Sequence, residues 1–210
     1  MDFNDSQQEA AFRKEARDFL EANAEKRSII SDKPNDKSPQ IAVAGAPETV
    51  KGGKEAAQEA LERAKVWQKK KAEAGFAAIL WPKEFGGYGG SPIQQVIYSQ
   101  EEHDYLVPSG YFEIGIGMLG PTMMVWGKDQ DKKRYLPKMI TGEEIWCQLF
   151  SEPSAGSDLA GIKMKAEKDG DEWVLNGQKV WTSGAHFADY GMLVARSDPS
   201  ALKHKGLSLI

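Results

Sequence analysis

One cysteine, three histidines and no long apolar run bound this 210-residue chain before any motif is read. A lone Cys147 permits no internal disulfide and points to a reducing compartment. It sits in an alternating apolar run, which reads as a buried, inert thiol and not a nucleophile. His103, His186 and His204 are scattered, without the spacing that sets two imidazoles on one helical face for a metal. No stretch approaches the roughly 20 apolar residues that a bilayer span demands. The opening residues, MDFNDSQQEAAF, are acidic and lack an apolar core segment, which argues against a secretory or transit signal. Strong charge of one sign is missing as well: a net charge of −4 gives no hint of nucleic-acid or acidic-membrane binding. Ser157 lacks a G-x-S-x-G elbow and an identifiable His/Asp partner, so no hydrolase triad is read. What is present, 40% hydrophobic and 28% charged residues, is ordinary for a soluble globular protein, and a cytoplasmic one is expected.

The first part of the chain has helical grammar. Asn4, Asp5 and Ser6 supply capping chemistry, and Ala11, Phe12, Ala16, Phe19 and Leu20 recur at helical spacing. Over 28–53 the pattern gives way to Asp, Pro, Lys, Ser and Gly, which reads as a long loop. Helical spacing resumes with Ala57, Leu61, Ala64, Trp67 and Ala74 on one face, and Gly75 can end the run. Lys69, Lys70 and Lys71 read as a solvated face. WPKEFGGYGGSP, at 81–92, is a connector that no helix tolerates. Further helices are predicted over 93–105, 111–126 and 129–139. After Gly142 the pattern turns to alternation, predicting strands over 145–150, 162–168, 173–175, 179–182, 190–196 and 207–210. Asn176-Gly177 carries the signature of a tight hairpin. The fold class is therefore α+β: an N-terminal all-α domain over 1–141, with a loop insertion at about 28–53, then an all-β domain over 142–210.

Gly115, Gly117 and Gly120 spell G-x-G-x-x-G, but a dinucleotide fingerprint needs a strand before it and a βαβ unit around it. Pro121 and helical surroundings make tight helix packing the better account. Trp67, Trp81, Trp126, Trp146 and Trp173 read as core or interface residues. Two stretches within 146–198 stand apart. Ser151, Ser154, Ala155, Gly156 and Ser157 follow one apolar run, and Trp181, Thr182 and Ser183 follow another. Both can be read as Ser/Gly-rich turns between strands. They also supply hydroxyls, free N–H groups and a stacking face, which a phosphate-bearing or heteroaromatic cofactor requires.

The order of residues adds to this. SEPSAGSD closely resembles the TEPxAGSD signature of the acyl-CoA dehydrogenase family, and the resemblance continues through NGQKVW and LVARSD. The FGG of the 81–92 connector is similar to that family's P-x-x-Y/F-G-G turn. The resemblance covers nearly the whole chain but about the first half of a family subunit, whose fold is a helical domain, a middle β-domain and a C-terminal helical bundle. It implies FAD as cofactor. Gln148, Phe150 and Ser151 would lie near the isoalloxazine, with Ser151 in place of the usual Thr. Gly156 and Ser157 match the phosphate-contacting pair, and Ser157 would also approach the acyl-CoA substrate. The family's Trp-Ile-Thr stands here as Trp181-Thr182-Ser183: the indole would cover the ring and Ser183 would reach toward flavin N5. Glu152 and Asp158 would hold the turn.

The implied reaction is α,β-dehydrogenation of an acyl-CoA thioester in lipid metabolism, with an electron-transferring flavoprotein as acceptor and a homo-oligomer as the complete assembly. The family's base is a C-terminal glutamate, so Glu101, Glu102, Glu143 and Glu144 are not given that role, and these residues are expected to form an incomplete active site. No catalytic residue and no metal ligand is assigned. A non-catalytic flavin- or acyl-CoA-binding subunit that pairs with a complete one, and a flavin monooxygenase or acyl-CoA oxidase of the same fold, are the alternative readings.

Overall fold

A single serine ahead of an amphipathic run starts the first helix. The computed structural model describes residues 4–27 and 53–210; the expected loop falls outside them up to residue 52. Ser6 caps α1 (Gln7–Asn23): its hydroxyl accepts the Glu9 N–H, and the Glu9 carboxylate accepts the Ser6 N–H at 2.7 Å. Two otherwise orphaned donors are thereby satisfied. Phe12, Ala16 and Leu20 are buried, while Ala11, expected with them, faces solvent. Gly53 opens α2 (Gly53–Glu73) and does not close the preceding loop. The buried stripe of α2 is Ala60, Ala64, Trp67 and Gln68, with Leu61 half-buried and Ala57 exposed. Gly75 ends the run in the left-handed region, at φ 84°, where a glycine carries no Cβ penalty.

The connector after α2 folds around Trp81. The indole is buried, and its Nε1–H donates to the Ile116 carbonyl at 2.8 Å. A Cβ at Gly120 would stand 2.1 Å from the Trp81 ring, so the third glycine of the G-x-G-x-x-G run makes room for an indole. The expected 111–126 helix is a π-turn over Gly115–Leu119 followed by α4 (Gly120–Trp126). The π-turn wraps one residue more per hydrogen bond, as the Gly120 N–H to Gly115 carbonyl bond records.

Helix α3 (Pro92–His103) starts on a second capping box, Ser91 with Gln94, and carries Pro92 in its first turn, where a missing N–H is harmless. Helix α5 (Asp129–Thr141) holds Pro137 within it and ends at Gly142, φ 76°. Gln68 of α2, fully buried, donates to the Ile140 carbonyl at 2.9 Å and so closes the end of α5. A short ribbon joins β1 (Glu25–Lys26) to β2 (Tyr105–Leu106) inside this helical unit. Phe12, Ala16, Phe76, Ile79, Ile97 and Tyr98 form one core cluster, and Leu20, Trp67 and Tyr105 a second. Each fully buried large side chain of this kind contributes about 1.5–3 kcal/mol.

The chain divides into two compact units, Met1–Glu144 and Ile145–Ile210. The second is a sheet of β3 (Trp146–Leu149), β4 (Lys165–Asp169), β5 (Glu172–Asn176), β6 (Tyr190–Arg196) and β7 (Leu207–Leu209). β3 runs parallel to β6, with Trp146 opposite Tyr190; β4 pairs antiparallel with β5, and β7 antiparallel with β6. The β4–β5 reversal falls at Gly170-Asp171, between Asp169 and Glu172, and not at Asn176-Gly177 as expected. Gly177 instead lets the chain press on Met164, whose Cβ would lie 2.6 Å from an added methyl. The expected 179–182 strand is absent because Trp181, at φ 54°, leaves the extended region.

Candidate functional site

β3 alternates two apolar faces. On one, Leu149 packs with Ala166, Leu193 and Ala195. On the other, Trp146 stacks on Tyr190 with ring centroids 5.0 Å apart, and Phe150 packs against Ala155, Ile162 and Val194. Gln148 lies between Trp146 and Phe150 on that second face by the strand's two-residue period, and is half-buried. Cys147 is buried, and burial pushes its thiol up, away from nucleophile chemistry.

Past β3 the chain reverses tightly. Glu152 and Ala155 exchange both backbone hydrogen bonds, at 2.8 and 3.1 Å, around Pro153-Ser154. Ala155 is buried beneath the turn, while Ser154, Gly156 and Ser157 face outward. An added Cβ at Gly156 would meet nothing within 4 Å, so the backbone here is approachable. The Glu152 carboxylate points inward and accepts from the Lys163 N–H at 2.7 Å, the Met164 N–H at 2.9 Å and Lys179 Nζ at 2.9 Å. Burial pushes this carboxyl up, but the Lys163 N–H, the Lys179 ammonium and the Met164 N–H together outweigh it and hold the group below its ordinary value. Glu152 thus holds the turn, and β4 begins only at Lys165 because the two preceding N–H groups bond the carboxylate.

The second hydroxyl-bearing segment returns to the first. The Val180 N–H donates to the Ser151 carbonyl at 3.0 Å, and Lys179 Nζ donates to the Phe150 carbonyl at 2.9 Å. Trp181 follows at φ 54° with 81% of its surface exposed. A bulky side chain in the left-handed region costs on the order of 1–3 kcal/mol, and burial of the Trp181 ring does not offset it. A turn closes behind it, with the Ala185 N–H on the Thr182 carbonyl at 3.4 Å and Gly184 buried at φ 77°. Among the described residues, the hydroxyls of Ser157, Thr182 and Ser183 and the Gln148 amide take no side-chain partner. The structure therefore brings the Ser151 and Trp181 segments together through backbone bonds. It gives Phe150 a packed ring, and leaves Ser157 and Ser183 as outward donors. Lys179 was missed: in the sequence it is one cation among 27, with no spacing that marks it as buried.

Other carboxylates are occupied. Glu101 accepts from Arg17, at 2.9 Å through both Nε and Nη2, and from Arg13 at 3.0 Å. Glu144 binds Arg134 and Lys138. Both carboxyls are held low, by Arg17 and Arg134 foremost.

A helical unit is followed by a β-unit whose hydroxyl turn is clamped to a Trp-Thr-Ser segment, and comparison with known proteins assigns this order to one family. The profile for the acyl-CoA dehydrogenase N-terminal domain matches residues 46–143, and that for the acyl-CoA dehydrogenase middle domain matches residues 147–210. The chain belongs to the acyl-CoA dehydrogenase family. It is 41% identical over 159 residues to acyl-CoA dehydrogenase IpdE1 of Mycobacterium tuberculosis, covering 76% of this chain and 41% of that protein. Among solved structures, the Tcur3481-Tcur3483 steroid ACAD is similar over 100% of this chain and 48% of its own, with a TM-score of 0.72 and 31% identity. The ChsE4-ChsE5 complex from Mycobacterium tuberculosis is similar over 100% of this chain and 47% of its own, at 0.68 and 30%. The chain thus spans about two fifths to one half of the length of these relatives. Among the described residues, no helix is long and apolar enough to cross a membrane.

Proposed function

We propose that this chain supplies the flavin-binding portion of an FAD-dependent acyl-CoA dehydrogenase. The observation that carries this is the Val180–Ser151 bond, which aligns an outward hydroxyl turn with a left-handed, exposed Trp181. The donor set fits the group. Ser151 and Ser183 offer hydroxyls suited to the ring's carbonyls and nitrogens, Gly156 an open backbone and Ser157 a hydroxyl suited to phosphate, and Trp181 a free indole face. When bound, the flavin supplies hydride acceptance at N5. These residues would hold and orient it, with Gln148 and Thr182 at its margin, while Phe150 stiffens the strand beneath. The paired arrangement would set these donors in place before cofactor and substrate arrive, which is preorganisation.

The base that takes the α-proton is not assigned to these residues. A general base works best with its pKa raised toward the operating pH, whereas Glu101, Glu144 and Glu152 are all shifted the other way. Ser157 is also suited to the thioester side of an acyl-CoA. An electron-transferring flavoprotein as acceptor, a cytoplasmic setting and a place in lipid metabolism belong to the same proposal. Mixing the chain with FAD and recording the visible spectrum after gel filtration tests it: a retained yellow band is expected, and a colourless protein refutes the reading. Acyl-CoA with an artificial acceptor then reads turnover, which should be weak or missing from these 210 residues alone.

A second reading is that the chain works as one member of a two-chain assembly. It is motivated by its likeness to a structure described as a ChsE4-ChsE5 complex. A monodisperse homo-oligomer in sedimentation, with flavin bound, would count against it. The steroid designation of the other similar structure makes a steroid-type acyl group a sensible first substrate to assay.

A further inference from the structure

A cation and an anion meet out of water beneath the candidate cofactor edge. The side chains of Lys179 and Glu152 are each 6% exposed and lie 2.9 Å apart. Desolvating two charges seldom stabilises a protein relative to an apolar pair of the same volume, and buried pairs are better attested as devices that fix one arrangement. Here the arrangement is specific. Lys179 reaches the Phe150 carbonyl and Glu152, which flank Ser151 in the chain, while its neighbour Val180 bonds Ser151 itself. Two residues past Lys179, Trp181 holds a left-handed backbone with most of its ring in solvent. Little packing holds that conformation. The bonds on its N-terminal side and the turn at Thr182 on its C-terminal side do so instead.

We propose that Lys179 is a positioning residue of the cofactor site: by bridging the Phe150 carbonyl and the Glu152 carboxylate, it locks the 151–157 turn to the 179–183 segment and presets Trp181 against the flavin. The proposal rests on the flavin reading above. Its mechanical half, the lock on Trp181, does not need the flavin to be observed.

The test uses the whole 210-residue chain with FAD as the probe. Lys179→Met should weaken FAD binding by about tenfold or more, the loss of roughly one well-placed interaction, and Lys179→Arg should restore part of it. Removing both charges in Lys179→Met/Glu152→Gln leaves no unpaired buried ion. That variant should recover the thermal midpoint of the unaltered chain but not its FAD affinity. Unchanged affinity in Lys179→Met, or recovery of both properties in the double variant, overturns the proposal. Fluorine NMR of fluorotryptophan-labelled chain, with Trp181 assigned through Trp181→Phe, reads the lock directly. One sharp Trp181 resonance should broaden or split in Lys179→Met, and an unaltered resonance overturns the lock. If the unaltered chain binds no FAD, the flavin reading fails and the flavin half of this proposal falls with it, while the lock is still decided by the resonance.

Discussion

The two units bury a glutamate in different ways. In the helical unit, Glu101 of α3 is met only by side chains, Arg13 and Arg17 of α1, because helical N–H groups are already bonded to carbonyls. In the β-unit, Glu152 sits at a turn and collects two backbone N–H groups as well as Lys179. The first arrangement can relax: the Arg13 and Arg17 side chains are 23% and 51% exposed, so either guanidinium can return to water. The second cannot, since its cation and its amides are enclosed. Burial of a charge is therefore a different commitment in each half of the chain, decided by whether its partners have an exit.

Substitutions that separate the two sites should differ in size. Glu152→Leu strands the Lys179 ammonium and two amides, and should cost about 3–5 kcal/mol, the scale for breaking a buried pair. Urea unfolding of the β-unit, followed through its tryptophans, would measure it. In the helical unit, Gly120→Ala forces a methyl into the Trp81 ring and should cost about 1–3 kcal/mol by overpacking. Glu101→Leu comes lower, at about 1–2 kcal/mol, because its arginines can turn outward. Equal losses for Glu152→Leu and Glu101→Leu would end the comparison. Trp181→Ala should change stability least, within about 0.5 kcal/mol, since so exposed a ring packs on little, yet it should weaken FAD binding.

Acid sharpens the same contrast. Glu101 and Glu152 are both depressed in the folded chain. Their contribution is complete above the unfolded-state value of about 4.3 and fades as pH falls through the lower folded value. Glu101→Gln should flatten the loss of helical circular dichroism below about pH 4 while leaving the acid response of the β-unit unchanged.

Much of this was legible in the sequence. The capping chemistry at Asn4-Asp5-Ser6 fixes the start of α1 and Gly75 marks an end after α2, as read, whereas the Ser91–Gln94 box that starts α3 was passed over. The hydroxyl turns were visible because residue order there resembles one family closely. What stayed hidden depends on distant partners. Gln68 was not among the residues read onto the buried face of α2, because its partner, the Ile140 carbonyl, lies 72 positions away. Asn176-Gly177 carries a hairpin signature, yet the reversal falls at Gly170-Asp171 and Gly177 serves a close approach to Met164. A strand was expected from Ile162, but Glu152 captures the N–H groups of Lys163 and Met164 first. Trp126 and Trp173, read as core or interface residues, are 82% and 41% exposed, which removes the core half of that reading. For Gln68, Gly177 and the strand start, local pattern was overruled by a contact between residues distant in the sequence.

The parallel pairing of β3 with β6 also sets a timetable. Ile145 bonds Asp189, 44 positions later, so β3 has no neighbour on that side until the intervening hairpin has left the ribosome. The Ser151 carbonyl likewise waits for Val180. Closing such loops carries an entropy cost that no local contact offsets. The pairing of the 151–157 turn with the 179–183 segment should therefore be among the last parts of the β-unit to form during synthesis, and a nascent chain that has emerged only as far as Trp181 would present this turn with β3 still unpaired.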